Sequence, residues 1–114
     1  MENMIYNELR RRGMDVDVGE ITETVAKPDG KYERRHLEVD FVCNQGFRRY
    51  YIQSAYRIED DEKRKQELRS LRKINDSFRK AVITWDSIPR YQNDDGILFV
   101  SLYDFLTNPL SLTE

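Results

Sequence analysis

Between Gly13 and Tyr56 the chain carries three segments of strand character joined by two tight turns, and no other feature narrows its possible folds as much. Met14-Asp15-Val16-Asp17-Val18 alternates apolar and polar residues at period 2, and Ile21 to Ala26 continues the alternation after a break at Gly19. Pro28-Asp29-Gly30 is a turn, because proline presets φ, aspartate bonds the backbone ahead of it and glycine accepts positive φ. Residues 31 to 43 form the returning strand, with Leu37, Val39, Phe41 and Cys43 expected on one face and Glu38 and Asp40 on the other. The Asn44-Gln45-Gly46 turn then leads into a third strand, Phe47 to Tyr56. Its Tyr51, Gln53 and Ala55 share one face, and Tyr50, Ile52, Ser54 and Tyr56 share the other.

The flanking segments have a different period. Residues 2 to 12 read as a helix in which Ile5, Tyr6 and Leu9 share a face, Arg10 to Arg12 lie at the negative end of the dipole, and Gly13 terminates. At about 100° per residue Glu2 points between Ile5, Tyr6 and Leu9, toward the core, with Glu8 about 120° away from it. Residues 59 to 75 read as a second helix, acidic from Glu59 to Glu62, basic at Arg72 and Lys73, with a stripe of Leu68, Leu71, Ile74 and Phe78. Ala81 to Trp85 reads as a buried strand, Asn93-Asp94-Asp95-Gly96 as a turn, and Ile97 to Val100 as a last strand. Ser101 with Asp104 caps a short helix that Asn108-Pro109 ends. The expected fold is a single α/β layered domain over 1–114, in the order αβββαββα. Its sheet is mixed, because hairpins pair antiparallel and a helical crossover between the third and fourth strands favours parallel pairing.

Composition excludes several classes. A chain of 114 residues with 35% charged and 39% hydrophobic residues is a folded, strongly hydrated domain of ordinary size. A net charge of -2 exerts no global pull on nucleic acid, yet cations cluster at Arg10-Arg11-Arg12, Arg34-Arg35, Arg48-Arg49 and Lys63-Arg64-Lys65. These are either solvated surface charges or a basic patch, with Arg48, Arg49, Lys63 and Arg64 the candidate nucleic-acid contacts. Tyr50, Tyr51 and Tyr56 beside them either stack on bases or pack the sheet. One cysteine, Cys43, and one histidine, His36, leave no basis for a structural zinc site or an internal disulfide, and suit a reducing compartment. No apolar run approaches the roughly 18 residues of a membrane span, and no segment resembles a signal peptide, so the expected location is the cytoplasm.

The order of helix, antiparallel meander, helix and strand resembles the core of the PD-(D/E)XK, or restriction-endonuclease-like, superfamily. The resemblance aligns the superfamily's helix glutamate with Glu2, its second-strand aspartate with Asp40, and its (D/E)-x-K with Gln53-Ser54-Ala55. More closely, Glu2-Asn3-Met4-Ile5-Tyr6-Asn7-Glu8-Leu9-Arg10-Arg11-Arg12-Gly13, Glu38-Val39-Asp40-Phe41-Val42 and Tyr51-Ile52-Gln53-Ser54-Ala55-Tyr56 resemble the C-terminal domain of unknown function of bacterial and archaeal AAA-type ATPases. The resemblance implies a fragment of a longer protein whose upstream ATPase domain is its partner. No G-x-x-x-x-G-K-[ST] phosphate loop occurs in the chain, so ATPase activity is not its own.

Metal-assisted phosphodiester hydrolysis needs hard oxygen ligands, usually two carboxylates, and a cation that stabilises developing charge. At the aligned positions Gln53 replaces a carboxylate and Ala55 replaces the lysine. The vestigial catalytic set is therefore Glu2, Asp40, Gln53 and Ala55, and the weak metal set is Glu2, Glu38, Asp40 and Gln53. Rescue would need Glu38 as a substitute carboxylate and a basic residue such as Lys63 reaching in. The plainer reading makes Asp40 and Glu38 polar residues of a hydrated strand face, and Gln53 a hydrogen-bonding partner of the sheet or of Glu2. Two functions follow: a non-catalytic binding or regulatory module with no cofactor, or a DNA or RNA nuclease with a rearranged Mg²⁺ or Mn²⁺ site.

Overall fold

The structure, a computed structural model, describes residues 1–57 and 68–113. Its elements are α1 (Glu2–Arg11), β1 (Asp15–Ala26), β2 (Tyr32–Gln45), β3 (Arg48–Ala55), a helix α2 whose described part is 68–73, β4 (Arg79–Thr84), β5 (Tyr91–Gln92), β6 (Leu98–Ser101) and α3 (Leu102–Thr107). The strands form one mixed six-stranded sheet in the order β1-β2-β3-β4-β6-β5. β1, β2 and β3 pair antiparallel, β3 with β4 and β4 with β6 pair parallel, and β5 returns antiparallel beside β6. The two-residue β5 is an addition to the expected order, too short for any period to reveal. None of the described helices is long and apolar enough to cross a membrane.

Helices cover both faces. On one, Ile5 and Leu9 of α1 and Leu102 and Phe105 of α3 pack on Phe41, Cys43, Tyr50, Ile52, Ile83 and Val100. On the other, Leu68 and Leu71 of α2 pack on Val39, Tyr51, Ala55, Val82 and Phe99. The period-2 faces expected for β3 are those observed, since Tyr50 and Ile52 lie on the α1 side and Tyr51 and Ala55 on the α2 side.

β2 departs from its expected pattern. Asp17 pairs with Val42 and Gly19 with Val39, so Val18 alone stands opposite both Asp40 and Phe41. This bulge inverts the side-chain parity, leaving Val39 on the α2 side and Phe41 and Cys43 on the α1 side, where the alternation alone had put all three together. Gly19 permits the close approach, since a Cβ there would collide with Val42 and lie 3.2 Å from the Val39 Cβ.

Helix α1 ends as expected. Gly13, at φ +83°, donates to Arg10 O while Met14 donates to Leu9 O, the paired bonds of a Schellman motif, and Met14 is buried in the same cluster as Leu9. Its buried face differs: Ile5, Glu8 and Leu9 are inside, Tyr6 is 43% exposed, and Glu2 is exposed. The Glu8 carboxylate accepts from Arg11 and Arg12, and Arg12 in turn donates to the Phe105 and Asn108 carbonyls and stacks on the Phe105 ring. The Arg11 and Arg12 hydrogen bonds hold the Glu8 carboxyl below the usual range against the opposing effect of burial. α3 carries the expected cap, with Ser101 Oγ accepting from Asp104 N at 3.0 Å.

Two further expectations change. Phe78 belongs to the bend before β4 rather than to the stripe of α2, whose described part ends at residue 73. Trp85 lies beyond β4 and is 58% exposed, so the buried strand is Arg79–Thr84. The acidic N-terminal half of the expected second helix, together with Lys63 and Arg64, lies outside the described residues.

Candidate functional site

The ladder between β2 and β3 runs from Gln45↔Arg48 to Phe41↔Ile52 and stops there. β3 continues alongside β4 through Ala55↔Thr84, while β2 continues alongside β1. Backbone groups facing the gap need partners, and side chains supply them. Gln53 Oε1 accepts from Asp40 N at 2.8 Å, and Gln53 Nε2 donates to Glu38 O at 3.1 Å and to Ser70 Oγ of α2 at 2.7 Å. Reciprocally, Asp40 Oδ2 accepts from Ser54 N at 2.9 Å and from Ser54 Oγ at 3.0 Å. Two side chains thus close the corner that the bulge opens.

These contacts separate residues the sequence had grouped. Gln53, 6% exposed, projects to the α2 side, where it meets Ser70; Ala55 shares that side, 6% exposed among apolar neighbours. The Asp40 carboxylate turns to the α1 side, where Ser54 lies and where Glu2 Oε1 is 3.4 Å from Ser54 Oγ. The expected convergence of Glu2, Asp40 and Gln53 on one point of one face is therefore not what the structure has. Asp40 and Glu2 meet at Ser54, Gln53 works on the opposite face, and Glu38 contributes its backbone carbonyl with its side chain exposed. Position 55 faces away from both carboxylates. The bulge is the cause, because it sends two consecutive side chains, Asp40 and Phe41, to the α1 side.

The donor set does not fit a hard dication. Gln53 Oε1 and Asp40 Oδ2 are already acceptors of protein hydrogen bonds, and among the described residues no group of three or more His, Cys, Asp or Glu side chains is placed to hold a metal ion. A cleft of about 450 Å³ does open beside the pair, lined by Met1, Glu2, Asn3, Ser54, Ala55 and Tyr56. Cys43 offers no nucleophile, since burial pushes its thiol up to about 12. His36 Nδ1 meets the Glu20 carboxylate across β1 and β2, on the exposed surface.

Sequence reasoning missed Ser54 and Ser70. Ser54 was visible only as the middle residue of Gln53-Ser54-Ala55, and Ser70 carried no local signal at all. The basic clusters also sort themselves. Arg10 lies 3.9 Å from Asp15, Arg11 and Arg12 hold Glu8, and Arg35 lies 3.4 Å from Glu33. On α2, Arg69 and Lys73 both reach Glu23 of β1, at 2.7 and 3.3 Å, tying the long β1–β2 hairpin to the helix. Arg48 and Arg49 lie at the far end of β3.

No protein-family model matches the chain, and no solved structure matches it. It is 30% identical over 106 residues to a protein of Haemophilus influenzae that is named only as an uncharacterized protein. The match covers 93% of this chain and 22% of that protein, so the chain spans about a fifth of the length of the relative it resembles.

Proposed function

We propose that this chain is a non-catalytic binding or regulatory module of restriction-endonuclease-like descent, carried at the C-terminus of a longer cytoplasmic AAA-type ATPase. The observation that carries the reading is the saturation of the β2/β3 corner, where Gln53 and Asp40 serve as replacements for missing ladder bonds. Element order supports the descent, with a helix and an antiparallel meander followed by a parallel pair. The much greater length of the Haemophilus influenzae relative supports a larger parent protein.

The alternative, a metal-dependent DNA or RNA nuclease, has one observation in its favour. Glu2 and Asp40 approach the same hydroxyl beside an open cleft. A single Ser54 proton serves only one of them at a time, so a cation there would relieve their repulsion. The deciding experiment is titration with Mn²⁺ by calorimetry, run beside cleavage assays on plasmid, single-stranded DNA and RNA. Weak or absent Mn²⁺ binding and no cleavage above background are expected. Tight stoichiometric binding together with cleavage, both lost in Asp40→Asn, would overturn the non-catalytic reading.

A further inference from the structure

The opposite end of β3 is built differently. Arg48 is six residues from Ser54, about 20 Å along a strand, so this end is remote from the Asp40 corner. Here the β2–β3 hairpin ends in Gly46, at φ +61°, and Phe47, which is 102% exposed. The parallel register sets Arg79 beside Tyr50, which brings the bend before β4 against the hairpin. Between them lies a groove of about 300 Å³ lined by Phe47, Arg48, Arg49, Ser77, Phe78 and Arg79 among others. Arg48 also borders a neighbouring hollow of about 370 Å³ that Arg11 and Arg12 line.

Three arginines line this groove; Asp76 acts on Arg49 through space, and none of the three makes an ion pair among the described residues. The Arg48 and Arg79 side chains make no hydrogen bond or ion pair among the described residues, and the Arg49 guanidinium bonds only the neutral Asn44 Oδ1 and Tyr51 OH. The nearby carboxylate, Asp76, is already engaged by Tyr51 OH at 2.7 Å, Phe78 N at 3.0 Å and Lys80 Nζ at 3.1 Å. Burial opposes ionisation of Asp76, but Tyr51, Lys80 and the Phe78 amide outweigh it and hold its carboxyl below the usual range. The two rings are held differently. Phe78, 40% exposed, has the Arg49 guanidinium 5.6 Å from its centroid, whereas the Phe47 ring stands free in solvent at the hairpin tip.

We propose that this groove binds single-stranded nucleic acid, with Arg48 and Arg79 on phosphate oxygens and Phe47 and Phe78 stacking on bases. Unpaired cations interleaved with exposed rings match a ligand that alternates anion and flat apolar face. An acidic peptide would satisfy the arginines but leave the rings in water, and a duplex hides its base faces. This inference supplies a ligand for a binding module without depending on the Asp40 corner.

Fluorescence anisotropy tests it, with the 114-residue chain titrated into labelled 12-mers of dT and rU, a 12-bp duplex and a labelled polyglutamate peptide. Single strands should bind more tightly than the duplex, and polyglutamate should not compete. Arg48→Ser with Arg79→Ser should weaken single-strand binding at least about 10-fold and reduce the salt slope by about 1.4, at roughly 0.7 per phosphate contact. Phe47→Ala should weaken it by about 5- to 100-fold. Arg34→Ser with Arg35→Ser, an equal charge change on the β2 arm, should leave binding unaltered, and thermal melting of each variant verifies folding. Absence of binding at low salt, equal binding to duplex, full competition by polyglutamate, or indifference to the Arg48, Arg79 and Phe47 changes would each overturn the proposal. Cleavage of the single strands would instead overturn the non-catalytic reading and leave this site standing.

Discussion

The two ends of β3 both carry polar groups and use them in opposite ways. At the Asp40 corner the amide of Gln53 and one oxygen of Asp40 are committed to backbone groups and to serines, whereas at the hairpin end Arg48 and Arg79 are left without partners. The difference separates polar residues that hold a fold together from polar residues left available to a ligand. It also reverses the emphasis of the motif, since Gln53 and one oxygen of Asp40, at the aligned positions, are engaged within the protein.

The comparison is broken most directly at Ala55. Lysine there would place an ammonium among Val39, Tyr51, Leu68 and Val82 on the α2 side, and we expect a loss of about 4 kcal/mol or more in urea denaturation. A stable Ala55→Lys protein with new Mn²⁺ affinity would mean that position 55 faces the carboxylates after all. Gln53→Glu should cost about 2–3 kcal/mol at pH 7, because the introduced carboxylate cannot donate to Glu38 O or to Ser70. Its sign with pH is specific. A carboxyl whose folded pKa is raised destabilises only above its unfolded value of about 4.3, so the variant should match wild type below about pH 4 and fall away as pH rises. A variant as stable as wild type at pH 7 would show that the corner is not saturated.

Among the arginines the same contrast is sharpened by Glu8→Gln, which removes the carboxylate shared by Arg11 and Arg12 and should cost about 2 kcal/mol at neutral pH. Because the folded Glu8 pKa is depressed, its contribution is complete above about pH 4.3 and is lost as pH falls through the folded value. Melting temperatures of the variant and wild type should therefore converge in acid. The smallest effect belongs to the open end: Phe47→Ala and Arg48→Ser should each change stability by less than about 0.5 kcal/mol by chemical denaturation. A larger loss would make the hairpin end a structural feature like the corner.

Much of the fold was legible because its signals are local. The faces of β3 follow from strand parity, the end of α1 from Gly13, the cap of α3 from Ser101, and the hairpin turns from Pro28-Asp29-Gly30 and Asn44-Gln45-Gly46. For the candidate residues, nearness in the fold was legible and side-chain geometry was not. Glu2, Asp40 and Gln53 do lie near the β2/β3 split, but a bulge between residues 39 and 42 reverses the parity on which their convergence rested.

By itself, then, the sequence determined the end of α1, the cap of α3 and the hairpin turns, and that the sheet would be mixed, because these depend on backbone preferences within a few residues. Only the tertiary structure decided which polar groups are consumed. Glu8 rather than Glu2 is the buried carboxylate of α1, and its partner Arg12 is anchored on carbonyls 93 and 96 residues away. Gln53 finds Ser70, and Arg79 comes beside the hairpin, through pairings that no local window contains. Burial and hydrogen-bond satisfaction are properties of the assembled packing, and the identity of a side chain does not specify whether its partners will be protein groups or a ligand.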